Sequence, residues 1–350
     1  MTDQTVTEYA VVSLLSRFRH DLAVDLGTAN TLIYVSGRGV VVDEPSIIAM
    51  DKASGRILAV GTAAQTMLGR TPGSILTVRP VRHGVIADFD GTERLLRDLM
   101  RRAMVSCAFG IRPRVIVGVP SNITQVEQRA VKDAALRARA KEVFIVEESM
   151  AAAIGAGLPI ERPTASMVVD IGGGTTDIAV IAMGGTVYSA AIAVAGDNMD
   201  AAIIDFVRRT YNVVIGERTA ERVKMTIGSA IPTGRRLTTE VKGRQQALGL
   251  PTVLRLGEDD VRIALSPILT SISVNVIRAL EHTPPELAGD IITNGITLTG
   301  GGALLQGIAP YLSVETGVPV WVANRPLQCV ALGTGRMLDN LDLLKRVAVA

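Results

Sequence analysis

Cysteine and histidine are scarce in this chain, and each scarcity excludes a class of chemistry. There are two cysteines, Cys107 and Cys329, with no CxxC spacing and no nearby histidine. That excludes a disulfide framework and a zinc site, and a reduced cytoplasm fits. The three histidines, His20, His83 and His282, stand singly, so each reads as a surface or loop residue and none as part of a catalytic constellation. Charge of one sign is also missing. With a net charge of +2 and no block of Lys and Arg, the sequence offers no basic arm and no nucleic-acid partner. No uninterrupted apolar run reaches the roughly 18 residues that span a bilayer. No G-K-[ST] occurs, which excludes a P-loop, and no G-x-G-x-x-G opens a helix after a strand.

What the chain has is length, glycine and repetition. At 350 residues it exceeds a single hydrophobic core, so two domains are expected. Apolar residues make up 48%, and Val/Ile/Ala-rich runs alternate with helix-like runs, an α/β pattern. The most conspicuous stretch is VVDIGGGTTDIAVI, Val168–Ile181, with three consecutive glycines between two apolar runs. It has a gapless partner upstream, AVDLGTANTLIYV. Asp25 falls on Asp170, Gly27 on Gly172, Asn30 on Thr175 and Thr31 on Thr176. Each copy reads as a β-hairpin with a tip of small and hydroxyl residues, and the pairing suggests duplicated halves that face each other.

Tips of this kind expose backbone N–H groups suited to phosphate oxygens, and two of them could clasp a polyphosphate from both sides. Asp25 and Asp170, at the base of each turn, are placed to hold Mg²⁺ through its waters. A single hairpin would read equally as an ordinary tight turn; the duplication favours the clasp. A third glycine run, Gly300–Gly302, follows a strand and is read as opening a helix, either to back an adenosine or for simple helix–strand packing. Glu147-Glu148 lies at a strand-to-helix turn. There a carboxylate could polarise a water for attack on a γ-phosphate, or could simply cap the helix.

Between these motifs the periodicity predicts a strand at 115–119, a turn at Pro120-Ser121-Asn122, and helices at 125–139 and from about 150 to 157. Further helices are expected at 199–210, 219–227 and 259–281, the last stopped by Pro284-Pro285. A polar strand pair is expected near 238–243 and 252–256, and one closing helix near 328–343. At the N-terminus, Val11, Val12, Leu14, Leu15 and Phe18 fall at helical spacing beside Arg17, Arg19 and His20. The stretch fits a secretory signal poorly; it reads as a helix on a membrane surface or one packed on its own domain.

DLGTAN, GVPS, EES, DIGGGTTD, GD-MD, TAERVK and TGGGALL, in that order, resemble the actin, heat-shock-chaperone and sugar-kinase superfamily. Within it the chain closely resembles the MreB-like family of bacterial actin homologues, from about 21 to 338. The resemblance implies an actin-like ATPase fold of two ribonuclease H-like domains around a nucleotide cleft. Residues 21–150, with a smaller subdomain at about 37–80 and a C-terminal helix at 327–350, would form the first domain, after an N-terminal extension at 1–20. Residues 151–326, with a subdomain at about 197–257, would form the second.

The resemblance further implies ATP and Mg²⁺ as ligands. Gly27, Thr28, Ala29 and Asn30 would line one phosphate loop, and Gly172, Gly173, Gly174 and Thr175 the other. Asp25 and Asp170 would serve the metal, while Glu148 and Thr175 would position the attacking water. Gly196 and Asp197 would lie near phosphates and ribose, Glu221 and Lys224 by ribose and base, and Gly300, Gly301, Gly302 and Leu304 behind the adenosine. It implies homopolymers in antiparallel double filaments on the inner face of the membrane, working with integral-membrane cell-wall synthesis proteins. The loop Ala103–Ile111, with Met104, Val105 and Phe109, matches a membrane-inserting loop. The chain departs from the family pattern at Ser149, where proline is usual, and at Asp177, where glutamate is common. Asn198, Met225, the bulkier PSNIT turn and the longer N-terminal extension depart as well. These departures point to a divergent paralogue with slow hydrolysis or a specialised partner. Two rivals remain, a nucleotide-locked scaffold and a small-molecule kinase of the same superfamily, although no second polar cluster offers an acceptor pocket.

Overall fold

The computed structural model describes residues 21–105 and 112–349. Its frame is a pair of five-stranded sheets with the same strand order. In the first half, β1 (Leu22–Leu26), β2 (Asn30–Val35) and β3 (Gly39–Pro45) form an antiparallel meander. A small sheet of β4 (Ile48–Asp51), β5 (Ile57–Val60) and β6 (Ile75–Val78) follows, with α1 (Thr62–Met67) between its strands. The short ribbon β7 (Val81–Arg82) and β8 (Val85–Ile86) leads into α2 (Phe89–Ala103), capped by the Asp88 carboxylate on the Gly91 N–H. Then come β9 (Arg114–Val119), α3 (Gln125–Arg137), β10 (Glu142–Glu147) and α4 (Glu148–Ala156). Thr124 and Glu127 close a reciprocal capping box on α3. β10, β9 and β1 run parallel, so the sheet order is β10-β9-β1-β2-β3.

The second half repeats the plan. β11 (Ser166–Ile171), β12 (Thr176–Ala182) and β13 (Gly185–Ile192) form the meander. The chain then leaves through α5 (Gly196–Tyr211), β14 (Val213–Val214), α6 (Glu217–Ile227), β15 (Thr238–Gln245) and β16 (Pro251–Gly257). It returns by α7 (Glu258–Glu281), α8 (Pro285–Asn294), β17 (Ile296–Thr299), α9 (Ile308–Thr316) and β18 (Val320–Val322). β11, β17 and β18 run parallel, and the order β13-β12-β11-β17-β18 matches that of the first sheet. β11 and β12 are buried along their whole length and read as continuous apolar runs, as strands covered on both faces do.

Each sheet has its own apolar core, and a third apolar cluster lies between the sheets. That middle layer is made by α4 and α10 (Cys329–Asp339), where Gly155 abuts the Cys329 carbonyl and Gly333 abuts the Ala151 carbonyl. A Cβ at either glycine would strike backbone, so the two helices touch main chain to main chain. Cys329 is buried there as a free thiol.

Two expectations change and a third is extended. The closing helix is broken at Asn340, whose side chain accepts the Leu343 N–H and starts α11 (Leu341–Val347). Gly301–Leu304 forms only a 3-10 turn, and α9 starts at Ile308 after Gly307; three glycines carry the greatest backbone entropy cost of a helix. Pro284-Pro285 ends α7 and also starts α8, because a proline at a first helical position loses no hydrogen bond. Among the described helices, α7 is long and apolar enough to cross a membrane. Its Val261, Leu265, Leu269, Ile272 and Val276 are buried in the second core, which accounts for its composition.

Candidate functional site

The two hairpin tips meet between the sheets. In the first, Asp25 pairs in register with Leu32; in the second, Asp170 pairs with Asp177. The first tip is fastened within its own half: the Ser46 N–H donates to the Ala29 carbonyl at 2.8 Å and the Ser46 hydroxyl to the Gly27 carbonyl at 2.6 Å. Asn30 Nδ2 donates to Asp43 at 3.5 Å. The second tip is fastened to the start of α5, whose Gly196 and Asp197 N–H groups donate to the Gly172 and Gly173 carbonyls at 3.2 and 2.7 Å.

Bare backbone is needed where the tips touch. A Cβ at Gly173 would sit 2.6 Å from Ala29 Cβ, and one at Gly174 would sit 2.5 Å from Thr28 Oγ1 and 2.9 Å from the His83 nitrogen. Thr28 is buried, and its Oγ1 accepts the Gly84 N–H at 3.0 Å. Gly27 to Asn30 and Gly172 to Thr175 therefore form one continuous small-residue surface contributed by both halves.

Four carboxylates gather behind these tips. Burial raises Asp25 to about 8, with the charges of Asp170 and Asp43 adding to the effect. Burial raises Asp170 only to about 6, because the Thr299 hydroxyl donates to its Oδ1 at 2.8 Å. Asp177 is raised to about 7 by burial, opposed by the Ser121 N–H that donates to its Oδ1 at 3.0 Å. Glu148, the first residue of α4, is held well above the usual carboxylate range by burial, then by Asp177, Asp25 and Asp170. The acidic pair thus divides: Glu148 turns into the cluster, whereas Glu147 accepts the Thr186 hydroxyl at 3.4 Å. Neither side chain caps α4, so capping does not explain the pair.

Beside the tips lies a cavity of about 280 Å³ whose lining includes Thr28, Arg79, His83, Asp197, Asp200 and Glu221. Arg79 crosses it, with its guanidinium 3.5 Å from Asp197 and 3.7 Å from Glu217. Lys224 is pinned by Asp200 at 2.9 Å and by the Gly196 carbonyl at 3.0 Å. Gly300 to Gly302 run along the back of the second hairpin: the Gly300 N–H donates to the Pro326 carbonyl at 2.9 Å, and Gly302 abuts Ile171. Leu304 is 57% exposed at the edge of that turn.

The sequence had not singled out Arg79, Asp200, Glu217 or His83. Asp200 carried a signal, since it shares a helix face with Asp197; Arg79 carried none, because its partners lie in the other half. Among the expected membrane residues, Val105 is 80% exposed. Met104 departs from the expectation: its N–H closes the end of α2 on the Met100 carbonyl, and its side chain packs partly buried on the first core. Val11, Val12, Leu14, Leu15, Phe18 and Phe109 lie outside the described residues.

With this geometry in view, comparison with known proteins is specific. The family model of the MreB/Mbl protein matches residues 19–346. The cell shape-determining protein Mbl of Bacillus subtilis is 48% identical over 329 residues, covering 94% of this chain and 98% of that protein. The cell shape-determining protein MreB of Escherichia coli K12 is 51% identical over 330 residues, covering 93% and 95%. MreB5 of Spiroplasma citri bound to AMPPNP superposes with a TM-score of 0.87 at 40% identity, covering 93% of this chain and 97% of that one. The same protein bound to ADP gives 0.88. A match of this extent, on an actin-like frame of paired sheets, means that the chain belongs to the MreB/Mbl family.

Proposed function

We propose that this protein binds ATP with Mg²⁺ between its halves, hydrolyses it and assembles with further copies into filaments that set cell shape. The observation that carries this reading is the meeting of two hairpin tips, one from each half, over a cluster of carboxylates of which Glu148, Asp170 and Asp177 are buried and Asp25 is half-buried. Relatives named for cell shape, and a relative held with AMPPNP and with ADP, support it.

A divalent cation fits the donor set. Asp25 and Asp170 are hard oxygen donors whose mutual repulsion raises Asp25, and a cation between them relieves that repulsion. When bound, Mg²⁺ neutralises charge developing on the phosphate oxygens.

The remaining work falls to the chain's own groups. N–H groups of the two tips hold the β- and γ-phosphates, and the exclusion of water at their contact strengthens those bonds. Lys224 and Glu221 serve the ribose and base, Gly196 and Asp197 the ribose and phosphates, and the Gly300–Gly302 turn with Leu304 backs the adenosine. Glu148 and Thr175 hold the attacking water. Its oxygen bonds to the γ-phosphorus as the bond to the bridging oxygen breaks, and its proton passes to Glu148. Because both halves hold the nucleotide, binding biases closure, and closure favours subunit addition.

The filament is an antiparallel pair on the inner face of the membrane, where it positions integral-membrane enzymes of cell-wall synthesis. The N-terminal extension and exposed Val105 supply apolar contact with the bilayer. Phosphate release and pelleting, measured together with and without anionic liposomes, test the whole reading. Glu148→Ala is expected to keep ATP affinity and lose phosphate release by about 100-fold, within the range of a general-base deletion. Release at the wild-type rate would remove Glu148 from the reaction.

A further inference from the structure

The duplicated hairpins differ in kind at the position that faces each aspartate across the strand pair. Leu32, opposite Asp25, is 4% exposed and apolar, while its counterpart Asp177, opposite Asp170, is 1% exposed and acidic. A carboxylate in the interior of a covered strand is costly unless each oxygen is used. Asp177 Oδ1 is used: it accepts the Ser121 N–H at 3.0 Å. Ser121 sits in the turn after β9, on the opposite half, and its Oγ lies 3.0 Å from Ser149 Oγ. Ser149 is fully buried in the first turn of α4, next to Glu148. One strap thus runs from the second hairpin through the Pro120–Asn122 turn to the residue beside Glu148. A Cβ at Gly84 would sit 2.5 Å from Pro120 Cγ and 3.0 Å from Thr175 Cγ2, so the Pro120 turn and the second tip both pack against Gly84.

Asp177 Oδ2, by contrast, is buried and makes no hydrogen bond of full geometry among the described residues, although the Thr175 hydroxyl beside the carboxylate favours its charged form. It lies in the same carboxylate cluster as Glu148, for which it is the largest source of charge. A buried acceptor left open beside the group assigned to the attacking water calls for a donor that arrives with the substrate.

We propose that Asp177 Oδ2 accepts a hydrogen bond from the attacking water, completing with Glu148 and Thr175 a three-sided water site that the Ser121–Ser149 strap holds in place. This rests on the hydrolytic reading above and adds its missing acceptor. The water then gives one hydrogen to Glu148 as its oxygen bonds to phosphorus and the bond to the bridging oxygen breaks, while the other hydrogen stays on that oxygen, donated to Asp177 Oδ2, and fixes the lone pair in line. Asp177 orients the water and takes no proton itself.

Asp177→Asn separates this role from a structural one. The amide keeps an oxygen for the Ser121 N–H but presents an NH₂ donor in place of Oδ2. It also removes a buried charge, so the melting temperature is expected to hold or rise. ATP affinity, measured with a fluorescent analogue, is expected to stay within twofold of wild type, and phosphate release per polymerised subunit to fall at least tenfold. Ser149→Ala, which loosens the strap and leaves Asp177 intact, is expected to fall less. The double variant should be no slower than Asp177→Asn alone, because both act through one water. If Asp177→Asn does not fold, the Ser149→Ala rate decides: a two- to fivefold fall at unchanged affinity supports the strap, and a wild-type rate overturns it. Wild-type release by Asp177→Asn, with Glu148→Ala inactive, overturns this inference alone. Wild-type release by both variants overturns the hydrolytic site itself.

Discussion

The two hairpins share register, sheet order and small-residue tips, yet their carboxylates stand differently. Asp170 is held by the Thr299 hydroxyl from the neighbouring strand and rises only to about 6. Asp25 is raised to about 8 by burial, with the acidic charges of Asp170 and Asp43 adding to it. The first tip is tied to Ser46 in its own half, and the second to the start of α5, which lines the cavity. The frame is thus matched in the two halves, and the surroundings of its two aspartates are not. One half carries a carboxylate already settled by a hydroxyl; the other carries one that a cation would settle.

The largest effect is expected where the tips touch. Gly173→Ala drives a Cβ onto the Ala29 Cβ, an overpacking clash costing about 1–3 kcal/mol. ATP affinity should fall about 10- to 100-fold on that scale. The relation between tips makes a sharper test, because the atom struck is Ala29 Cβ. Ala29→Gly in the Gly173→Ala background should recover part of the affinity, and titration calorimetry reads both variants. No recovery would mean that the two tips do not act as one surface.

A middle-sized effect separates the two aspartates. Both sit above the roughly 4 of a solvated carboxylate, so the folded protein holds protons that the unfolded chain releases. The sign follows. The stability from each is fully present below about pH 4 and declines as pH rises. It is gone above about 6 for Asp170 and above about 8 for Asp25. Without metal, the melting temperature should drop between pH 5 and 8. Asp25→Asn should flatten the upper part of that drop more than Asp170→Asn does, and Mg²⁺ with nucleotide should flatten it in wild type. A melting temperature that climbs with pH in chelator would contradict the cluster described here.

The hairpins were legible because both copies keep one spacing without a gap, and local turn chemistry suffices to place Asp25 and Asp170. Asp197 and Lys224 were reached only through family resemblance, since nothing local says that Lys224 turns toward the Gly196 carbonyl. Three features left no mark in the periodicity. Arg79 meets acids of the other half, Ser121 meets Asp177 across the same boundary, and the break at Asn340 depends on one side chain capping the next turn. The first two depend on which elements the fold brings together, whereas periodicity reports only a segment's own face; the third is a local cap that helical periodicity runs through. Asp177 was visible as a departure from a pattern, but its meaning needed the register that sets it against Leu32 in the other hairpin.

The smallest effect tests whether the halves are held apart from the tips as well as at them. Arg79 bridges to Asp197 and Glu217 at 3.5 and 3.7 Å, with its side chain 24% exposed and theirs 36% and 66%. Ion pairs so open to solvent are worth at most about 1 kcal/mol and weaken with salt. Arg79→Ala should therefore lower the melting temperature by no more than a few degrees, less at high salt. Its effect on closure should still be readable, because the same carboxylates line the cavity that the nucleotide would share. Asp197 freed from Arg79 loses an attractive charge and gains repulsion toward phosphate, so ATP affinity should fall a few-fold while affinity for adenosine changes little. Equal losses for both ligands would place Arg79 in general cleft packing, and the asymmetry between the halves would then rest on the hairpins alone.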